Sequence, residues 1–124
     1  MSKATANAKT KPVEVRLDLG EEVYFLVPTL SAIKKINRQF GNLQNCFTKL
    51  RGMDFVSMVY IAQVGSDARG DYGKELENQI YRAGLAEAIG PLIEYVGILI
   101  NGGRPLEDAP IDRDDDEGGP EGKG

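Results

Sequence analysis

Residues 13–41, VEVRLDLGEEVYFLVPTLSAIKKINRQFG, read as a short hairpin that passes through a proline directly into an amphipathic helix. Val13, Val15, Leu17 and Leu19 alternate with Glu14, Arg16 and Asp18, the period-two pattern of a strand with one buried face. Gly20 supplies a turn, and residues 22–27, EVYFLV, return with the β-branched and aromatic side chains that suit a pleated surface. A two-residue Gly20-Glu21 turn sets Leu17 opposite Tyr24, whereas a three-residue loop sets it opposite Phe25 and turns the other face of the second strand inward. The spacing leaves both registers open. Pro28 has no N–H for a ladder and biases Val27 towards an extended conformation, so the strand ends there, while Thr29 can accept a bond from the first free N–H groups of a helix. Leu30, Ile33, Ile36 and Phe40 then recur at three- and four-residue steps with Lys34, Lys35 and Arg38 outside, and Gly41 stands where a left-handed C-terminal residue is wanted.

Downstream the pattern stays helical. Asn42 is placed to cap a second helix with Leu43, Cys46, Phe47 and Leu50 on one stripe and Gly52 at its end. Asp54 caps a third, FVSMVYIAQV, which is apolar around most of its circumference and therefore belongs inside a bundle or under a partner. Residues 65–73, GSDARGDYG, have the composition of an exposed loop. A fourth helix follows with Leu76, Ile80 and Ala83 inward and Lys74, Glu75, Glu77 and Arg82 outward, ending at Gly84. In residues 85–101 the pair Gly90-Pro91 either begins a fresh helix or lies in the first turn of one starting a few residues earlier. Leu92, Val96, Leu99 and Ile100 form its apolar face, and Asn101-Gly102-Gly103 with Arg104-Pro105 ends it. The expected fold is α+β, mainly α: an N-terminal β-hairpin packed on a bundle of four or five short helices.

The 124 residues suit one domain, for single domains run to about 100 to 200 residues. The sequence divides it into a flexible N-terminal arm, 1–12, a folded body, 13–103, and a disordered acidic tail rich in Gly and Pro, 104–124. Such a small core stands to gain from a partner or from self-association. Residues 107–124 carry eight acids and two bases, a net −6, which leaves +2 for the remainder of a chain whose total is −4. That balance argues against nucleic acid as the main ligand. Lys34, Lys35, Arg38, Lys49 and Arg51 could serve a small nucleic-acid-binding regulator, but a solvated helix face is the better reading. No segment approaches the roughly 18 consecutive apolar residues of a membrane span, and no signal-peptide pattern opens the chain, so a cytoplasmic protein without a membrane partner is expected.

The residue inventory points away from catalysis. Histidine is absent, which removes Ser-His and Cys-His nucleophile pairs and the commonest transition-metal ligand. Cys46 is the only cysteine and lies on an apolar stripe, the place of a small core residue rather than a reactive thiol. Glu75, Glu77, Glu87 and Glu94 fall on solvated helix faces. Asp112, Asp114, Asp115, Asp116 and Glu117 lack the central glycine, terminal glutamate and flanking helices of an EF-hand, and read as an electrostatic arm. No Walker loop, dinucleotide fingerprint or CxxC pair occurs, so no catalytic residue, cofactor or metal is expected.

The hairpin leading into PTLSAIKKINRQFGNL, the central apolar helix and the closing GPLIEYVGILINGG resemble the small tail assembly chaperones of long-tailed phages and gene transfer agents, over nearly all of residues 13–103. The resemblance implies a non-enzymatic helper in the bacterial host cytoplasm. It would coat the tape measure protein before tail tube subunits polymerise around it, and leave before the tail is complete. It also implies that a longer, frameshifted form is possible, and residues 121–124, EGKG, could be encoded by codons that contain a slippery heptamer. Phe55, Met58, Val59, Leu99 and Ile100 are the expected client contacts wherever they are exposed. The helices are the expected client surface and the hairpin a scaffold or a self-association edge. The competing expectation is a structural virion component, such as a small tail tube or connector protein.

Overall fold

The first strand, β1 (Val15–Asp18), pairs antiparallel with β2 (Val23–Leu26) so that Val15 faces Leu26 and Leu17 faces Tyr24. The register open in the sequence is thus that of the two-residue turn. Gly20 sits at its first central position with φ 86°, where an L side chain would be strained, and the Leu19 N–H donates to the Glu22 carbonyl at 3.0 Å to close it. Asp18 reinforces the turn by accepting from the Gly20 N–H at 3.0 Å. Val15, Leu17, Leu19 and Leu26 are consequently buried, while Phe25 lies on the opposite face and is half exposed. These elements belong to a computed structural model that describes residues 13–106; the expected arm 1–12 and residues 107–124 of the expected tail lie outside the described residues.

Five helices follow: α1 (Leu30–Phe40), α2 (Leu43–Arg51), α3 (Phe55–Ser66), α4 (Gly70–Ala83) and α5 (Leu85–Ile100). The first three begin where the sequence provides an oxygen for the free N–H groups of the first turn. Thr29 accepts from Ala32 N at 3.0 Å, Asn42 from Asn45 N at 2.7 Å and Asp54 from Ser57 N at 3.1 Å. Two bonds from Ser57, side chain first and backbone second, hold the Asp54 carboxyl below the usual carboxylate range. A single residue, Gly84 at φ 101°, separates α4 from α5.

The core sits between the hairpin, α3 and α5. Helix α3 touches β2 and the other four helices; α5 lies against β1, α2, α3 and α4. An all-round apolar helix needs that central position, because any face left in water would keep its hydrophobic surface hydrated. Ile61, Met58, Leu92, Tyr95 and Val96 close the centre with no exposed surface.

Three local expectations are corrected. Residues 65–73 are not an exposed loop: α3 runs to Ser66 and α4 starts at Gly70, leaving residues 67–69 as the connection. Gly65 is a close-approach position, since a Cβ there would stand 3.0 Å from Leu26 Cβ and 3.1 Å from Tyr95 Cζ. That approach lets the Val27 N–H donate to the Gly65 carbonyl at 3.0 Å and pins the hairpin to the end of α3. Helix α5 is continuous from Leu85, so the earlier start is the one the structure has, with Pro91 in the second turn instead of the first. The missing Pro91 N–H leaves the Glu87 carbonyl without its helical partner, at a residue exposed to water. Finally, Arg104, Pro105 and Leu106 turn back on α5 instead of joining the tail: Asn101 Nδ2 donates to the Arg104 and Pro105 carbonyls at 3.2 and 3.3 Å, and Leu106 covers Gly97.

Candidate functional site

Of the five client contacts expected from sequence, Met58, Val59 and Leu99 are buried in the core, and as client contacts they are corrected. Met58 and Val59 lie on the sides of α3 covered by its neighbours, so they meet a partner only if the domain opens. Phe55 is half-buried against the core. Ile100, 51% exposed at the end of α5, is the one clearly open member of the set.

The more open apolar surface lies on α1. Ala32 and Ile36 face the core, which rotates Leu30 outward to 75% exposure and leaves Ile33 at the boundary. The sequence stripe placed Leu30 inward, and the structure corrects it. Three adjoining depressions run along this side of the helix. One of about 260 Å³ lies between Pro28, Leu30 and Ile33 on one wall and Leu99, Gly102 and Gly103 on the other. A second, about 480 Å³, is bounded by Ile33, Lys34, Asn37, Arg38 and Leu43. The third, about 320 Å³, adds Ser31 and Lys35 to Leu30, Lys34 and Arg38. Together they form a strip with an apolar floor and a basic rim.

Two features hold that strip in place. The Tyr60 hydroxyl donates to the Lys35 carbonyl at 3.2 Å, and the Tyr60 ring meets Phe40 edge-on with centroids 6.0 Å apart. The rim is unneutralised: among the described residues Lys34, Lys35 and Arg38 make no salt bridge. The signal that finds this surface is local charge. Residues 23–53 contain Lys34, Lys35, Arg38, Lys49 and Arg51 and no acid, a net +5 hidden inside the chain total of −4.

The other polar groups serve structure. Tyr24 donates to Gln79 Oε1 at 2.6 Å, Gln79 donates to Glu75 at 3.1 Å, and Arg82 bonds Glu21 at 2.8 and 3.1 Å and Glu75 at 3.3 Å. The chain of contacts straps the hairpin to α4 and satisfies Gln79, which is only 4% exposed. The Arg82 guanidinium holds the Glu21 carboxyl below its ordinary range, and burial, helped by Glu22 and Glu75, raises the Tyr24 hydroxyl. Among the described residues no group of three or more His, Cys, Asp or Glu could hold a metal ion. No helix among them is long and apolar enough to cross a membrane.

Cys46 is fully buried, and that burial pushes its thiol up from 9.0 to about 11. At pH 8 its thiolate should be about a hundredfold scarcer than in the unfolded chain, before steric shielding is counted. A thiol reagent such as a disulfide dye should therefore label the native protein at least that much more slowly than the protein in denaturant. Equal rates would show that Cys46 is accessible.

Comparison with protein-family models, with curated proteins and with solved structures gives no match for this chain.

Proposed function

We propose that this protein is a non-enzymatic assembly chaperone of a long-tailed phage or phage-like particle, which covers the tape measure protein through the α1 strip and gives way as tail tube subunits arrive. The observation that carries the reading is the exposed Leu30 and half-buried Ile33 beside an unneutralised rim of Lys34, Lys35 and Arg38. An amphipathic helix with an apolar stripe and an acidic flank has the complementary chemistry. The resemblance of residues 13–103 to tail assembly chaperones supplies such a client, a long helical protein whose stripes are bare before the tube forms.

Magnitudes suit a transient coat. Covering the exposed part of Leu30 is worth roughly 1–2 kcal/mol at about 25 cal/mol per Å², and exposed ion pairs add about 0.2–1 kcal/mol each. One copy therefore binds weakly, while many copies along one client bind firmly and remain replaceable. Among the described residues β1 pairs with β2 alone, so its other side offers neighbouring copies a strand edge. The protein works in the bacterial host cytoplasm and needs no cofactor.

A chaperone should co-purify with a tape measure fragment when the two are expressed together and be missing from finished particles by mass spectrometry. Retention in purified particles at fixed stoichiometry would instead identify a structural tube or connector subunit.

A further inference from the structure

The two charge poles of the chain face a question of occupancy. The α1 strip is a basic, apolar-floored surface whose three cations have no acidic partner among the described residues. The chain itself carries the complementary segment: residues 112–117, DRDDDE, hold five acids and one base, within a stretch 107–124 of net −6. Its point of departure is fixed. Leu106 packs on Gly97 of α5, and Gly103, three residues earlier, lies near the Pro28 carbonyl at the foot of α1. From Leu106 six to eleven residues reach the acidic run, a span of about 20 to 36 Å when extended, enough to cross the end of a domain this small.

We propose that the acidic segment, residues 112–117, docks in cis on the α1 strip of its own chain, against Lys34, Lys35 and Arg38, and acts as a replaceable cover for the docking surface. Exposed ion pairs are weak singly, but a tether holds the segment near the strip at an effective concentration of order millimolar, so a contact too weak to form between separate molecules is populated within one. A client with its own acidic flank, plus an apolar stripe for Leu30, displaces it. The cover would also lower the affinity of the basic pole for polyanions, including nucleic acid. The inference stands on the strip and the tail, whatever the identity of the client.

The test uses the full-length chain and a variant in which Asp112, Asp114, Asp115 and Asp116 become Asn and Glu117 becomes Gln. Backbone amide resonances of α1 should differ between the two, and the wild-type resonances should move towards those of the variant as salt is raised. The variant Lys34→Glu/Lys35→Glu/Arg38→Glu should release the segment, seen as movement of the resonances of residues 112–117 at unchanged melting temperature. A synthetic peptide of residues 107–124 should bind the neutralised chain at α1 at least about threefold more tightly than wild type, because the tethered copy no longer competes. Identical α1 resonances in wild type and neutralised chains would overturn the proposal. Differences that vanish on dilution would also overturn it, by placing the segment on a second copy, and tail resonances that follow an added oligonucleotide without any change in α1 would do the same.

Discussion

Val15→Asp should unfold the domain. Val15 is 4% exposed, faces Leu26 across the hairpin and lies on the strand that packs against α5. An aspartate there places a carboxylate in the apolar core cluster. Burying an unpaired charge costs more than about 4 kcal/mol, which approaches the entire stability of a small domain, about 5–15 kcal/mol. Circular dichroism should show loss of the cooperative melt, whereas Arg16→Ser, one residue along on the solvent face, should leave it nearly unchanged. A native melt for Val15→Asp would mean that the hairpin does not contribute a buried face.

Tyr95 is the second sensitive point because it joins three elements at once. Its ring is fully buried against Gly65 of α3, and its hydroxyl donates to the Val27 carbonyl at the end of β2 at 2.8 Å. Tyr95→Ala should cost about 3–5 kcal/mol through the cavity it leaves. Tyr95→Phe keeps the packing but strands the Val27 carbonyl, for about 1–2 kcal/mol. Denaturant melts of the pair separate packing from hydrogen bonding, and equal losses would show that the ring contributes little.

Burial raises the Tyr95 hydroxyl well above its ordinary value and the Cys46 thiol to about 11. In both cases the fold prefers the neutral form, so the unfolded chain loses its proton first. The stabilisation is complete below about pH 9 and is lost as pH rises through the range of the folded groups. Tyr95→Phe and Cys46→Ala should each flatten that alkaline decline.

The elements that were legible in sequence are those whose signals are local. The Thr29, Asn42 and Asp54 caps sit three residues before the N–H groups they accept from, and the alternation of Val15, Leu17 and Leu19 is a property of one strand. The register was not legible, because it depends on the conformation of Gly20 rather than on the strand pattern. Gly65 and Gly73 were misread for a related reason. Glycine marks a turn and equally a place where another segment must come close, and at Gly73 a Cβ would meet Ala68 O and Gln63 Nε2 at 3.2 Å. Leu30 shows the limit of helical periodicity: the stripe fits more than one rotation, and only the packing of α1 against α2 and α3, which buries Ala32 and Ile36, decides which apolar residue is left outside. Met58, Val59 and Leu99 fell on the wrong side of the same ambiguity, since an apolar helix in a bundle and one under a partner have the same composition. The basic rim was visible in the sequence, yet the whole-chain charge concealed how completely residues 23–53 exclude acids.

The central claim, that α1 is the docking surface, is tested by a matched pair of substitutions. Leu30 and Val56 are 75% and 73% exposed and stand at the first and second positions of α1 and α3. Glutamate is favourable in a first helical turn, and at position 30 it also lies four residues before Lys34, so neither variant should lower the melting temperature appreciably. The affinity of each purified protein for a tape measure fragment is then measured. Leu30→Glu should bind at least about tenfold more weakly, for the loss of roughly 1–2 kcal/mol of apolar contact and the added repulsion of an acidic flank, while Val56→Glu should bind as wild type does. Undiminished binding by Leu30→Glu, or an equal loss in both variants, would contradict the assignment of α1 as the docking surface.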